Sequence, residues 1–314
     1  MLSWLLWLGL MAGLVICANY LVGLVFWKPT PQNLEASRLD SSTRIAFLGT
    51  SRTQTNIDPL LFSTKTANIS DAGITYSVME QLFAAFLKKA PGLKLVVIEC
   101  TAESFAYTYD VMPQRFANSL ASFGIETKIN LTDWAESPGD YLRQKLPNLF
   151  SYRLTPRQIV ADLPLMNKPS LIKSGQVEIL KQFDSAQALQ SFQSNVELIE
   201  KVRQNRGMEK NRAAFRRILE LAKQRGIKIA LLRHPVHQLY IAAAPAEWER
   251  IVQEEILHAL TSGYLTPQQV IDESKHFIGV DSSFADLEHL NAQGAKIFTQ
   301  NLRHKVEQMA GDTL

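Results

Sequence analysis

The stretch Arg44-Ile45-Ala46-Phe47-Leu48-Gly49-Thr50-Ser51-Arg52-Thr53 decides the fold. Its short apolar run is stopped by a glycine and has no polar side, so it reads as a buried strand covered on both faces. Two further runs share this character. Leu93-Lys94-Leu95-Val96-Val97-Ile98-Glu99 is β-branched and follows Pro91-Gly92, and Ile227-Lys228-Ile229-Ala230-Leu231-Leu232-Arg233 is entered through Gly226 at a helix C-terminus. Weaker strand candidates lie at residues 66–69 and 276–280. In chain order the run at Leu93 is then the third strand and the run at Ile227 the fourth.

Helical patterns separate these strands. Residues 76–89 place Met79, Leu82, Phe83 and Phe86 on one side and stop before Pro91-Gly92. Residues 185–225 form a long helical region with a break expected at Gly207. A last helix is expected to start at Asn291, a good N-cap, with Ala295, Phe298, Leu302, Val306 and Met309 down one face. Apolar strands alternating with helices predict an α/β fold, a parallel sheet with helices on both faces. Residues 105–183 carry several prolines and irregular short helical patterns, and read as a helical insertion between the third and fourth strands.

Ahead of this domain, residues 2–27 carry no charged side chain. About 20 apolar residues span a bilayer core, so residues 1–27 predict one transmembrane helix, with Trp4, Trp7, Tyr20 and Trp27 toward its ends. A retained anchor is favoured over a cleaved signal peptide, because the stretch lacks a basic start and outruns an ordinary signal core. Lys28-Pro29-Thr30-Pro31-Gln32 opens a linker over residues 28–42, leaving residues 43–314 as the domain. Too few charges flank the span to orient it. Cys17 lies in the span and Cys100 in the domain, so no disulfide is expected, which either side of a membrane allows.

The whole chain has 314 residues, 46% hydrophobic and 20% charged, which fits a folded domain rather than a disordered one. A net charge of +3, without interleaved basic and aromatic residues, argues against nucleic acid as a partner. Residues 201–228 hold ten Lys or Arg against two Glu. A solvated helix face is the expected reading, and contact with anionic headgroups the alternative.

In open parallel sheets ligands lie beyond the carboxyl ends of the strands. Two polar motifs fall there. Gly49-Thr50-Ser51-Arg52-Thr53 puts a serine in the turn after the first strand, and Thr53 stands where an α/β-hydrolase elbow has glycine. Asp286-Leu287-Glu288-His289-Leu290-Asn291 precedes the last helix, and its three-residue offset lets the Asp286 carboxylate fix the tautomer of His289. Singly, each is ordinary turn or capping chemistry. Together they provide a nucleophile, a base and an orienting acid on one side of a sheet. His234 and His237 also follow a strand but lack further ligands for a metal, so no metal and no cofactor is expected.

These two blocks resemble the first and last blocks of the SGNH (GDSL-like) hydrolase superfamily. The run Asp286-x-x-His289-Leu290-Asn291-x-x-Gly294-Ala295, the Ser51-Arg52 pair and the apolar N-terminus together are similar to its membrane-anchored branch, related to alginate O-acetylation and teichoic-acid D-alanylation proteins. The resemblance implies a three-layer flavodoxin-like fold. It implies Ser51 as nucleophile, His289 as base, Asp286 as its partner, and the N–H groups of Ser51 and Gly73 as oxyanion donors. The family's third donor, an asparagine after the third strand, has no counterpart. Glu99-Cys100-Thr101-Ala102-Glu103 stands there, which leaves Arg52 or Thr101 as substitutes, or an inactive site.

Two functions follow as expectations. One is a single-pass, extracytoplasmic esterase or O-acyltransferase acting on a cell-surface glycan or polymer, possessing an acyl donor and served by a multi-pass acyl-exporting membrane protein. The other is a catalytically inactive scaffold of a polysaccharide assembly. Hydrolase and transferase differ only in what reaches the acyl-enzyme. Specificity is expected in residues 105–183 and 238–248.

Overall fold

The computed structural model describes residues 38–106, 184–203 and 207–311, together with residues 4, 7, 9–18 and 125. The chain divides into two units, Met1–Thr30 with Glu126–Ile172, and Pro31–Ile125 with Lys173–Leu314. In the first, residues 9–18 are helical. Among the described residues no helix is long and apolar enough to cross a membrane. The remainder of the span expected over 1–27, most of the linker at 28–42 and nearly all of the insertion at 105–183 lie outside the described residues.

The second unit is an α/β fold. Its strands are β1 (Ile45–Leu48), β2 (Thr66–Asn68), β3 (Leu95–Glu99), β4 (Lys228–Arg233) and β5 (Val270–Asp272). They form one sheet in the order β2-β1-β3-β4-β5, and every pairing is parallel. That order is consistent with a flavodoxin-like fold, whose switch point lies between β1 and β3. The helices are α1 (Ser51–Asn56), α2 (Tyr76–Lys89), α3 (Ala102–Ala106), α4 (Ser185–Arg203), α5 (Gly207–Gln224), α6 (Gln238–Ala243), α7 (Ala246–Thr261) and α8 (Ala292–Ala310).

Side chains alternate across a strand, and here both faces are covered. Ala46, Leu48, Val96, Ile98, Ile229 and Leu231 pack with Phe83 and Phe86 of α2, Phe215 and Ile218 of α5, and Ile251 of α7. Ile45, Phe47, Leu95, Val97, Ala230 and Leu232 pack with Phe62 and with Phe298, Leu302 and Val306 of α8. Register carries this order to the sheet's edge. Phe47 pairs with Val97 and Val97 with Ala230, so β1, β3 and β4 end within two residues of one another along the register. The turns that follow them emerge on one side.

One expectation needs correction. The fifth strand is Val270–Asp272, whereas residues 276–279 are a turn that Gly279 helps close at φ 79°. Its N–H groups are used locally, Val280 donating to the Phe277 carbonyl, so the run cannot join the sheet. The break in the long helical region does fall at Gly207, where α5 begins. The described Lys and Arg of the basic run are exposed or half-buried, as a solvated helix face requires. Arg212 and Arg216 reach Glu254 and Glu255 of α7, and Arg217 reaches Glu80 of α2, so three of its charges serve helix packing.

Candidate active site

Ser51 is the first residue of α1, directly beyond the Gly49-Thr50 turn that leaves β1. The turn is tight for a stated reason. A Cβ on Gly49 would collide with Thr53 Oγ1 and with the Glu99 side chain. Glu99, at the end of β3, is buried, and its carboxylate accepts from Thr50 N (2.7 Å), Thr50 Oγ1 (2.7 Å), Thr53 N (3.3 Å) and Thr53 Oγ1 (2.6 Å). Thr50 itself makes no side-chain cap to α1. Glu99 thus caps the helix from another strand, where a negative group suits the N-terminal dipole. The backbone N–H of Ser51 is left without a partner within the helix.

The second block comes from the loop before α8. Asn291 caps α8, accepting from Gly294 N at 2.9 Å. Asp286 Oδ1 accepts from the backbone N–H groups of Glu288 and His289, both at 2.8 Å, which turns the loop back on itself. Asn56, fully buried at the end of α1, accepts from Leu290 N at 3.0 Å and fastens this loop to the serine helix. These backbone contacts bring His289 Nε2 to 2.8 Å from Ser51 Oγ. On the far side of the ring, Nδ1 lies 2.8 and 2.9 Å from the two Asp286 oxygens. With Nδ1–H donated to the carboxylate, Nε2 carries the lone pair that faces the serine.

Electrostatics agree with that assignment. Burial pulls the His289 pKa down, but the bonded carboxylate of Asp286 outweighs it and leaves the group above the ordinary 6.5. Burial raises Asp286, but the His289 hydrogen bond, the charge of that ring and the backbone N–H groups of Glu288 and His289 together more than reverse this, so the carboxylate stays ionised.

Ser51 and His289 open onto a cavity of about 250 Å³, which Gly73, Thr101, Ser104 and Asn195 also help to line. Gly73 sits at φ 74°, a conformation that suits glycine, and lines the cavity together with Ser51. Thr101 lies on the same wall, its hydroxyl 3.1 Å from that of Ser104. Arg52, expected as a substitute donor, lines the cavity, and its buried guanidinium pairs through Nη2 with Glu103, with Glu288 at 2.5 Å and with Tyr240 Oη at 3.2 Å. Burial lifts Glu288 above the usual carboxylate range despite Arg52.

Glu99, Thr53 and His234 form a second buried line behind Ser51, with Thr53 Oγ1 2.9 Å from His234 Nε2. Glu99 accepts the Thr53 proton, so His234 Nε2 donates to that oxygen. Burial holds His234 at about 4, hence neutral. Among the described residues no group of His, Cys, Asp and Glu is arranged to hold a metal. Cys100 is buried, its thiol pushed up to about 12 by that burial, and is not a nucleophile at neutral pH.

Ser51, His289 and Asp286 are therefore adjoining, as the spacing of their motifs predicts. Glu99, Asn56 and Glu288 are the participants that sequence reasoning missed. Glu99 had a signal: a glutamate ending an apolar strand beside a threonine-rich turn. No protein-family profile matches the chain, and no curated protein is similar enough to count as a match.

Proposed function

We propose that this protein is a membrane-anchored serine esterase or O-acyltransferase of SGNH type, acting on a cell-surface glycan or polymer. The observation that carries the reading is the 2.8 Å contact between Ser51 Oγ and His289 Nε2, with Asp286 on the opposite ring nitrogen. Ser51 gives its proton to His289 Nε2 as Oγ attacks the acyl carbonyl carbon. The negative charge formed on the carbonyl oxygen faces the N–H groups of Ser51 and Gly73. As the bond to the leaving alcohol breaks, His289 returns the proton to that oxygen. A water or a sugar hydroxyl then attacks the acyl-enzyme, giving its proton to His289, and Ser51 recovers it on release. In this reading residues 1–27 tether the domain outside the cytoplasm, and a multi-pass membrane protein supplies the acyl donor.

A non-catalytic scaffold is the second reading. It is favoured by one observation, that position 101 holds a threonine whose hydroxyl is 3.1 Å from Ser104 rather than an asparagine. Intact-mass spectrometry of the full chain in detergent, after exposure to a small activated acetyl ester, separates the two. An acetyl adduct on wild type that is absent from Ser51→Ala is the expected result. A wild type that stays unlabelled while a known serine esterase is labelled in parallel sinks the enzymatic reading.

The pH dependence is a second expected outcome. A base acts only unprotonated, and the His289 pKa is raised, so acylation of Ser51 should increase with pH along a limb centred above 6.5. In Asp286→Asn the raising partner is gone and burial is left to act, so the limb moves to lower pH while the rate falls. Stopped-flow release of the leaving alcohol across the pH range reads both. A wild-type limb below 6.5 would contradict the assignment of His289 as base.

A further inference from the structure

Beside the cavity at Ser51 lies a larger one of about 800 Å³, at the carboxyl ends of β3, β4 and β5. Its volume falls within the range of about 300–1,000 Å³ usual for small-molecule sites. The two cavities share Arg52, Thr101 and Trp248 as walls, so an occupant of the larger one lies a single side chain from the serine cavity.

The lining of the larger cavity is mixed. Ile241, Ala244, Pro245 and Val252, from α6, α7 and the turn between them, are apolar. The strand ends supply Arg233, Asp272, Ser274 and Lys275, and α7 adds Glu249 and Gln253. The charges of this polar set cancel. Arg233 bonds Glu249 at 2.6 Å and Asp272 at 2.7 Å, and Lys275 balances the second carboxylate in sum. Arg52 is already matched by Glu103 and Glu288.

We infer that this cavity is a subsite for a neutral pyranose unit of the polymer, bound with its C–H face on α6–α7 and its hydroxyls toward β4 and β5. A neutral sugar ring has one apolar face and a rim of groups that both donate and accept, which is what a cavity of mixed, charge-balanced lining matches. A uronate or phosphate-bearing unit would bring a charge that no surplus cation among the described residues meets. The inference rests on the acyl-transfer reading for its purpose, since the ring here would present a hydroxyl toward Ser51. Its binding is measurable without that chemistry.

The test uses the full chain in detergent, titrated calorimetrically with neutral hexasaccharides of β-1,4-linked glucose, mannose, galactose and N-acetylglucosamine, and with mannuronate and glycerol-phosphate oligomers of equal length. At least one neutral series should bind, the charged oligomers at least about tenfold more weakly. Binding should persist in Ser51→Ala, where no acyl-enzyme forms. Ala246→Trp, which fills the cavity from an exposed position, should weaken it at least about tenfold while the melting temperature holds. A second blocking variant, Gln253→Trp, guards against a folding defect in the first. The inference is overturned if no neutral oligosaccharide binds, if the charged oligomers bind as well, or if both blocking variants bind like wild type. Oligosaccharide binding without a Ser51 adduct would remove the acyl-transfer reading and keep the subsite; an adduct without binding would do the reverse.

Discussion

Exchange of His289 for alanine is expected to slow acetylation of Ser51 by about 10⁴-fold, and Ser51→Ala to abolish it. The size follows from geometry. Among the described residues, His289 Nε2 is the hydrogen-bond partner of Ser51 Oγ, at 2.8 Å. An unassisted serine hydroxyl is a poor nucleophile at neutral pH, and the neighbouring buried carboxylates are committed elsewhere. Glu103 and Glu288 hold Arg52, while Glu99 takes its four bonds from Thr50 and Thr53.

The loss should be chemical rather than structural, and three features separate the two. The loop is held by backbone contacts at Asp286, Leu290 and Asn291, none of which needs the imidazole. His289→Ala should therefore melt close to wild type. Added imidazole should recover part of the rate by entering the space the ring vacates. Steady-state kinetics should show the loss in kcat, because the ring takes up a proton in the transition state and contributes little to ground-state binding. A fall of less than about tenfold, with no imidazole rescue, would mean that Ser51 is labelled only because it is exposed.

The fold was most legible where burial is complete. β1, β3 and β4 are covered on both faces, so their sequences are uninterrupted apolar runs that local reading detects. The helices at Tyr76–Lys89 and Ala292–Ala310 are amphipathic and have clear punctuation, Pro91-Gly92 in one case and the Asn291 cap in the other. β5 escaped because an edge strand of three residues, Val270-Ile271-Asp272, needs only one buried side chain. The site was legible in its two local motifs, since Asp286 and His289 are three residues apart and Ser51 follows a strand. What joins the motifs was not legible. The bond from Asn56 to Leu290 spans more than 200 residues, and Arg52 finds Glu288 over a similar separation. Such pairs depend on register and crossover geometry, which no local pattern records.

Glu99 is the case where that hidden layer has the greatest expected effect outside the three site residues. Its carboxylate is 1% exposed and receives four hydrogen bonds from the two residues that flank Ser51-Arg52. Burial would raise its pKa, yet the nearby His234 ring, Arg52 and the threonine donors outweigh burial and hold it below the ordinary 4.5. Glu99→Gln keeps the shape but turns an amide N–H toward groups that are themselves donors. Losing charge-assisted bonds from a buried carboxylate costs about 3 kcal/mol, so chemical denaturation should show a drop of that order. The pH dependence has a defined sign. A depressed carboxylate contributes stability that is fully present above 4.5 and lost as pH falls through its folded value, so wild type should converge on Glu99→Gln in acid. Acylation should also slow, by about 10- to 100-fold, because Oγ is no longer fixed against Nε2. The limb set by His289 should not move, since Glu99 does not touch the ring, and Glu99→Asp should recover part of the rate. A variant that melts and acylates like wild type would show that the turn supports itself, and that the buried charge at the end of β3 serves something other than the serine.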